Sequence, residues 1–363
     1  MGGRAISVLI VEDSAVVREL LAHVLASDPE IRIAGFAKDG AEAIARLEEL
    51  KPDVVTMDIH MPGLDGYRTT RRIMETRPVP IVIVSSDCDP DDVTKVFRAL
   101  EAGAVAVAAK PPGPGAPRYE ECARKLIETV RAMSEVRVVK RWTRDRWPAA
   151  QVAASPAPRE IFPAARAQIR LVAIGASTGG PLVLQTILAA LPKPFPVPIL
   201  IVQHISTGFV QGLADWLAQS TGLPVRLSRD GERTLPGHAY LAPDSVHMRI
   251  EKNGCISCAE GAPESGLCPA VSCLFRSVAS AYGEQAVGIL LSGMGRDGAE
   301  DLKLMRARGA VTIAQDKESS VVNGMPGAAV EIGAAMHVLP PEGIAALLAA
   351  LVCAPNSPQN PPR

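Results

Sequence analysis

Short apolar runs alternate with amphipathic stretches along most of this chain. Residues 6–11 (ISVLIV) form an apolar run of strand length, and residues 15–26 carry helical spacing in Val16, Val17, Leu20, Leu21, Val24 and Leu25. The alternation continues with strands over 31–36, 54–57, 81–84 and 104–108 and helices over 41–50, 67–76, 91–102 and 120–133. Such repetition predicts a parallel sheet covered by helices on both faces, with ligands outside the carboxyl ends of the strands. A second series follows: strands over 171–174, 199–202, 225–227, 238–241, 286–291 and 311–314, and helices over 181–190, 210–219, 273–282 and 299–307. Asn253-Gly254 predicts a hairpin turn. The expected fold class is α/β, with two doubly wound parallel-sheet domains, one over 1–134 and a larger one over 169–352.

Between the two series, over 135–168, periodicity lapses and proline, alanine and arginine accumulate, which predicts a linker. Trp142 and Trp147 lie in it and leave two readings open, a flexible spacer or a segment docked by one ring. The proline- and asparagine-rich residues 353–363 read as a loose tail.

Composition adds exclusions. The formal net charge is −1 and no basic excess suggests nucleic-acid attraction. No apolar run approaches the ~20 residues of a membrane span, so no membrane insertion is expected. The first strand starts too early to leave room for a signal peptide, and the expected compartment is the cytoplasm. There the seven cysteines should be reduced.

Polar residues at the strand ends of the first domain share one character. Glu12 and Asp13 follow the first strand, Asp58 the third, Ser85 the fourth and Lys110 the fifth. Three carboxylates at one sheet edge repel unless a cation sits among them, and a hard cation with oxygen ligands, Mg²⁺, is the natural partner. A phosphoryl group on Asp58 would then have Mg²⁺, the Lys110 ammonium and the Ser85 hydroxyl to stabilise its charge. These residues, with Met61-Pro62-Gly63-x-Asp65-Gly66 and Lys110-Pro111, resemble the receiver domain of two-component response regulators. The resemblance implies a flavodoxin-like (βα)5 domain with Asp58 as phosphoacceptor, Glu12, Asp13 and Asp58 as metal ligands, and Ser85 and Lys110 as the switch pair. One position departs from that family: Val107 stands where Tyr or Phe is usual.

In the second domain the stretch LVAIGASTGG sets Ser177 between an apolar strand and a glycine pair that opens a helix. A nucleophile there has the unpaired N–H groups of a helix N-terminus nearby; a helix cap and a phosphate-binding turn are the other readings. The next strand ends in Gln203-His204, which suits a serine nucleophile better than a ribose. Gly293-x-Gly295-x-x-Gly298, with Asp316 after the next strand, matches the dinucleotide fingerprint and is the strongest rival. Against it stands Asp297, whose carboxylate would oppose a pyrophosphate at a helix N-terminus but would serve to orient a histidine. Three strand ends thus offer Ser177, His204 and Asp297 as nucleophile, base and orienter.

These motifs, with Leu241-Ala242-Pro243 and Leu274-Phe275-Arg276-Ser277-Val278-Ala279, resemble the catalytic domain of chemotaxis protein-glutamate methylesterases (the CheB family). The resemblance implies a serine esterase, controlled by receiver phosphorylation, that hydrolyses glutamate γ-methyl esters on methyl-accepting chemoreceptors and also deamidates receptor glutamines. It makes the Met294 N–H an oxyanion donor, asks for no cofactor in the esterase domain, and names a phosphodonor histidine kinase as partner. Upstream of Leu274, residues 267–273 depart from the family's polar stretch. Two other function classes stay open at this point, a receiver fused to a nucleotide-binding oxidoreductase and a catalytically silent signalling adaptor. Cys255, Cys258, Cys268 and Cys273 also raise a Cys₄ zinc site, although their spacing fits a zinc ribbon poorly.

Overall fold

The computed structural model describes residues 5–85, 90–136, 138 and 168–353. Trp142, Trp147, most of the expected linker and residues 354–363 of the expected tail lie outside them. One compact unit is built on residues up to 166; a second is built on residues 167–204 and 210 onward.

In the first unit, strands β1 (Ile6–Val11), β2 (Ile31–Ala37), β3 (Val54–Met57), β4 (Ile81–Ser85) and β5 (Ala106–Ala109) form one sheet. Its order is β2-β1-β3-β4-β5, and every pairing is parallel. Helices α1 (Ala15–Ala26), α2 (Gly40–Leu50), α3 (Gly66–Thr76), α4 (Pro90–Ala102) and α5 (Tyr119–Ser134) alternate with the strands. Side chains that satisfy first-turn N–H groups start α2 and α3. Asp39 accepts from Glu42 N at 2.8 Å and Asp65 accepts from Arg68 N at 2.7 Å. The strand order reverses between β1 and β3, which makes their carboxyl ends the place for a ligand.

In the second unit, β6 (Leu171–Ala176), β7 (Ile199–Gln203), β8 (Val225–Leu227), β9 (Ala239–Leu241), β12 (Ala286–Leu290), β13 (Val311–Gln315) and β14 (His337–Leu339) form a seven-stranded parallel sheet. Its order is β14-β13-β12-β6-β7-β9-β8, so β6 sits between β12 and β7 at the reversal. Strands β10 (His247–Ile250) and β11 (Ile256–Ala259) form a separate antiparallel hairpin around the predicted Asn-Gly turn, with Gly254 at φ 83°. The helices are α6 (Gly180–Ala190), α7 (Val210–Thr221), α8 (Val271–Ala281), α9 (Ala299–Ala307), α10 (Met325–Glu331) and α11 (Pro341–Cys353). The core is made of central-strand residues such as Ala173, Leu200 and Leu290 against Leu274, Phe275 and Val278 of α8. Strand β14 and helices α10 and α11 were not expected from periodicity.

Candidate active site and acidic site

Strands β12, β6 and β7 are neighbours, so their carboxyl ends bring three loops together. Ser177 follows β6 and enters a turn closed by a Gly180 N–H to Ser177 carbonyl bond of 2.9 Å. Gly179, at φ 80° and ψ −13°, takes the third place of that turn, the left-handed position a type II turn requires. A Cβ there would also lie 2.6 Å from Val321. Beyond β12 the same device recurs: Ala299 N–H bonds the Arg296 carbonyl at 3.1 Å, with Gly298 at φ 83° and ψ −12°. Of the glycines that matched a dinucleotide fingerprint, Gly298 therefore serves a tight strand-to-helix turn.

His204 follows β7, and its Nε2 lies 3.0 Å from Oδ2 of Asp297. Asp297 is 5% exposed in its side chain, and its oxygens also accept the Val271 N–H at 2.7 Å and the Ser272 N–H at 3.0 Å, both from the first turn of α8. Burial pushes its carboxyl up, but His204, Ser272 and the Val271 N–H outweigh burial and hold it below the ordinary carboxylate value.

Gly293 packs on Ser177, since a Cβ on it would sit 2.6 Å from Ser177 Cβ. Its N–H and carbonyl are both engaged, with Val322 and Met325. The next N–H, of Met294, has no acceptor among the described residues, nor has the N–H of Thr178. Ser292 completes the support. Its carbonyl accepts from Ser177 N at 2.9 Å and its hydroxyl donates to the Thr178 carbonyl at 2.7 Å. Sequence reasoning assigned no role to Ser292, Ser272 or the Gln203 side chain; buried polar residues at strand ends were the available signal.

The rival features are occupied otherwise. The Asp316 carboxylate accepts from Ser319 N at 3.0 Å, a local turn bond. Cys258 Sγ meets Ser228 Oγ at 3.3 Å, and Cys273 Sγ donates to Glu264 at 2.9 Å. Among the described residues the grouping fit to hold a metal is Glu12, Asp13 and Asp58.

That grouping lies at the β1/β3 reversal of the first unit, its ligand atoms within 4.8 Å of one another. Lys110 Nζ bridges Glu12 at 2.8 Å and Asp58 at 3.0 Å. Burial pushes the Glu12 carboxyl up, against the pull of Lys110. Burial also opposes the Lys110 charge, but Glu12 and Asp58 hold its ammonium above the ordinary lysine value. The Ser85 hydroxyl, 1% exposed, has no hydrogen-bond partner among the described residues. All-oxygen donors and an orphaned hydroxyl fit Mg²⁺ and a phosphoryl group. Gly66 abuts this site, since a Cβ on it would lie 2.2 Å from the Asp58 carbonyl.

Comparison with known proteins places both units. Residues 172–348 match the CheB methylesterase family and residues 8–116 match the response regulator receiver domain. A protein of Nitrosospira multiformis named protein-glutamate methylesterase/protein-glutamine glutaminase is 54% identical over 96% of this chain and 97% of its own length. The chain belongs to the CheB methylesterase family. Another CheB relative, from Geobacter metallireducens and bearing the same name with the number 4, is 52% identical over 95% of this chain and 99% of its own. The crystal structure of the Thermotoga maritima CheB methylesterase catalytic domain aligns over 51% of this chain and all of its own, at 37% identity and TM-score 0.50. The CheB family has an α/β fold in both domains, as expected from the sequence. Among the described residues no helix is long and apolar enough to cross a membrane.

Proposed function

We infer that this chain is a phosphorylation-controlled serine esterase that removes γ-methyl esters from glutamates of methyl-accepting chemoreceptors in the cytoplasm. The observation that carries the reading is the His204–Asp297 pair, whose residues follow the two strands flanking that of Ser177, with the orienter held ionised. Ser177 Oγ attacks the γ-carbonyl carbon while His204 Nδ1 takes its proton. Asp297 stabilises the resulting imidazolium, and the Met294 N–H donates to the tetrahedral oxyanion. The tetrahedral centre collapses with loss of the methoxy group, which leaves as methanol with the proton from His204. Water, deprotonated by His204, then attacks the acyl-enzyme and frees the glutamate carboxylate. A glutamine side chain follows the same course with ammonia as leaving group, which gives deamidation.

In the receiver unit, over 1–134, Asp58 takes a phosphoryl group from a histidine kinase of the chemosensory pathway. Glu12, Asp13 and Asp58 would hold Mg²⁺, which when bound neutralises charge on the transferring phosphoryl group. Lys110 and the Ser85 hydroxyl meet the phosphoryl oxygens, and these contacts bias the unit toward its signalling state. Residues 135–168 join it to the catalytic unit over 169–352.

The test is methanol release from purified methylated receptor by the full chain. Ser177→Ala and His204→Ala are expected to abolish it. Asp297→Asn should lower kcat by a factor on the order of 10³–10⁴, by analogy with other triads. Near-normal turnover by a folded Ser177→Ala variant would overturn the assignment.

A further inference from the structure

Gln203 ends β7 immediately before His204, and it is 4% exposed. A carboxamide at that depth has two N–H hydrogens and one oxygen to satisfy. Its Nε2 donates at 2.7 Å to the carbonyl of Ser177 and at 2.9 Å to the carbonyl of His204. One amide thus ties the main chain at the nucleophile to the main chain at the base. Its oxygen has no hydrogen-bond partner among the described residues. It lies over Gly180, where an added Cβ would come within 2.2 Å. A side chain kept only to fill space would be apolar there, since a buried unpaired oxygen opposes folding. The glycine at 180 and the glutamine at 203 are one fitted pair.

The Ser177 carbonyl therefore accepts two hydrogen bonds, from Gln203 and from the Gly180 N–H at 2.9 Å. The Ser177–Thr178 peptide is trans, so its N–H points opposite to its carbonyl and away from Gln203. That N–H has no acceptor among the described residues. Two donors on a carbonyl draw electron density from its own amide nitrogen and make the N–H a stronger donor. We propose that Gln203 is a positioning residue for catalysis. It fixes and polarises the Ser177–Thr178 peptide so that the Thr178 N–H serves as a second oxyanion donor beside Met294. The proposal rests on Ser177 being the nucleophile.

The experiment compares Gln203→Met and Gln203→Glu with the wild-type full chain on methylated receptor, with Ser177→Ala run in parallel. Gln203→Met keeps length and removes both donors. It should lower kcat roughly 10–100-fold with KM within about twofold, because an oxyanion contact acts in the transition state. In Gln203→Glu the introduced carboxyl donates only when protonated, so its activity relative to wild type should rise as pH falls. Wild-type kcat in a folded Gln203→Met, or a pH-independent ratio for Gln203→Glu, overturns the proposal while leaving Ser177 intact. Activity in Ser177→Ala overturns the reading beneath it instead. If neither Gln203 variant folds, the wild-type protein decides by NMR of its Gln203 side-chain amide. Both hydrogens should resist solvent exchange and shift when an organophosphonate occupies Ser177. Exchange at the free-amide rate, or no shift, sinks the idea.

Discussion

Cys273 shows how a single side chain can be reactive by type and inert by place. It is 2% exposed, its thiol donates to Glu264, and burial with that carboxylate pushes its pKa up to about 11. Thiolate is the reactive form, so at pH 8 the group is almost wholly neutral. Native protein treated with iodoacetamide at pH 8 should carry no label on Cys273 by mass spectrometry, and the label should appear once the protein is unfolded. Rapid native labelling would mean that the Cys273–Glu264 contact is absent in solution. At this scale the placement of Ser177, His204 and Asp297 at neighbouring strand ends was legible, because each is a polar residue at the end of an apolar strand. The part played by Gln203 was not. It consists of two side-chain bonds to main-chain carbonyls, and no sequence spacing encodes a partner that is a carbonyl.

Among elements, the two type II turns set the angle at which α6 and α9 leave the sheet. Gly179 and Gly298 sit at positive φ, and a Cβ on either would come within 2.6 Å or 2.5 Å of a valine side chain. Gly179→Ala and Gly298→Ala should each destabilise the folded unit by more than about 1 kcal/mol from backbone strain alone, with the clash added to it. Urea unfolding checks this, and an unchanged midpoint for both variants would refute the turn assignment. Most strands and helices here were readable to within a few residues, since their apolar periods are strong. Strand β14 is three residues long and half-exposed, too short for a period. Helix α10 opens Met-Pro-Gly and α11 is almost uniformly apolar, so neither displays a two-faced stripe.

For the molecule as a whole, the presence of a receiver domain with its acidic cluster and a CheB methylesterase domain on one chain makes coupling the quantity to measure. Allosteric coupling of ~1–3 kcal/mol corresponds to a change of about 5–150-fold. A small-molecule phosphodonor with Mg²⁺ should therefore change methanol release by the wild-type chain within that range, and Asp58→Ala should not respond. An equal response from Asp58→Ala would detach the receiver chemistry from the esterase. The grip on Asp297 bears on how such an enzyme changes over time. Its partners include the main-chain N–H groups of Val271 and Ser272, and main-chain donors survive every substitution except proline. The half-buried side chains of Leu267, Cys268 and Pro269 can thus drift without loosening Asp297, while Ala270, Val271 and Cys273 are fixed by burial and Ser272 by its own hold on that carboxylate.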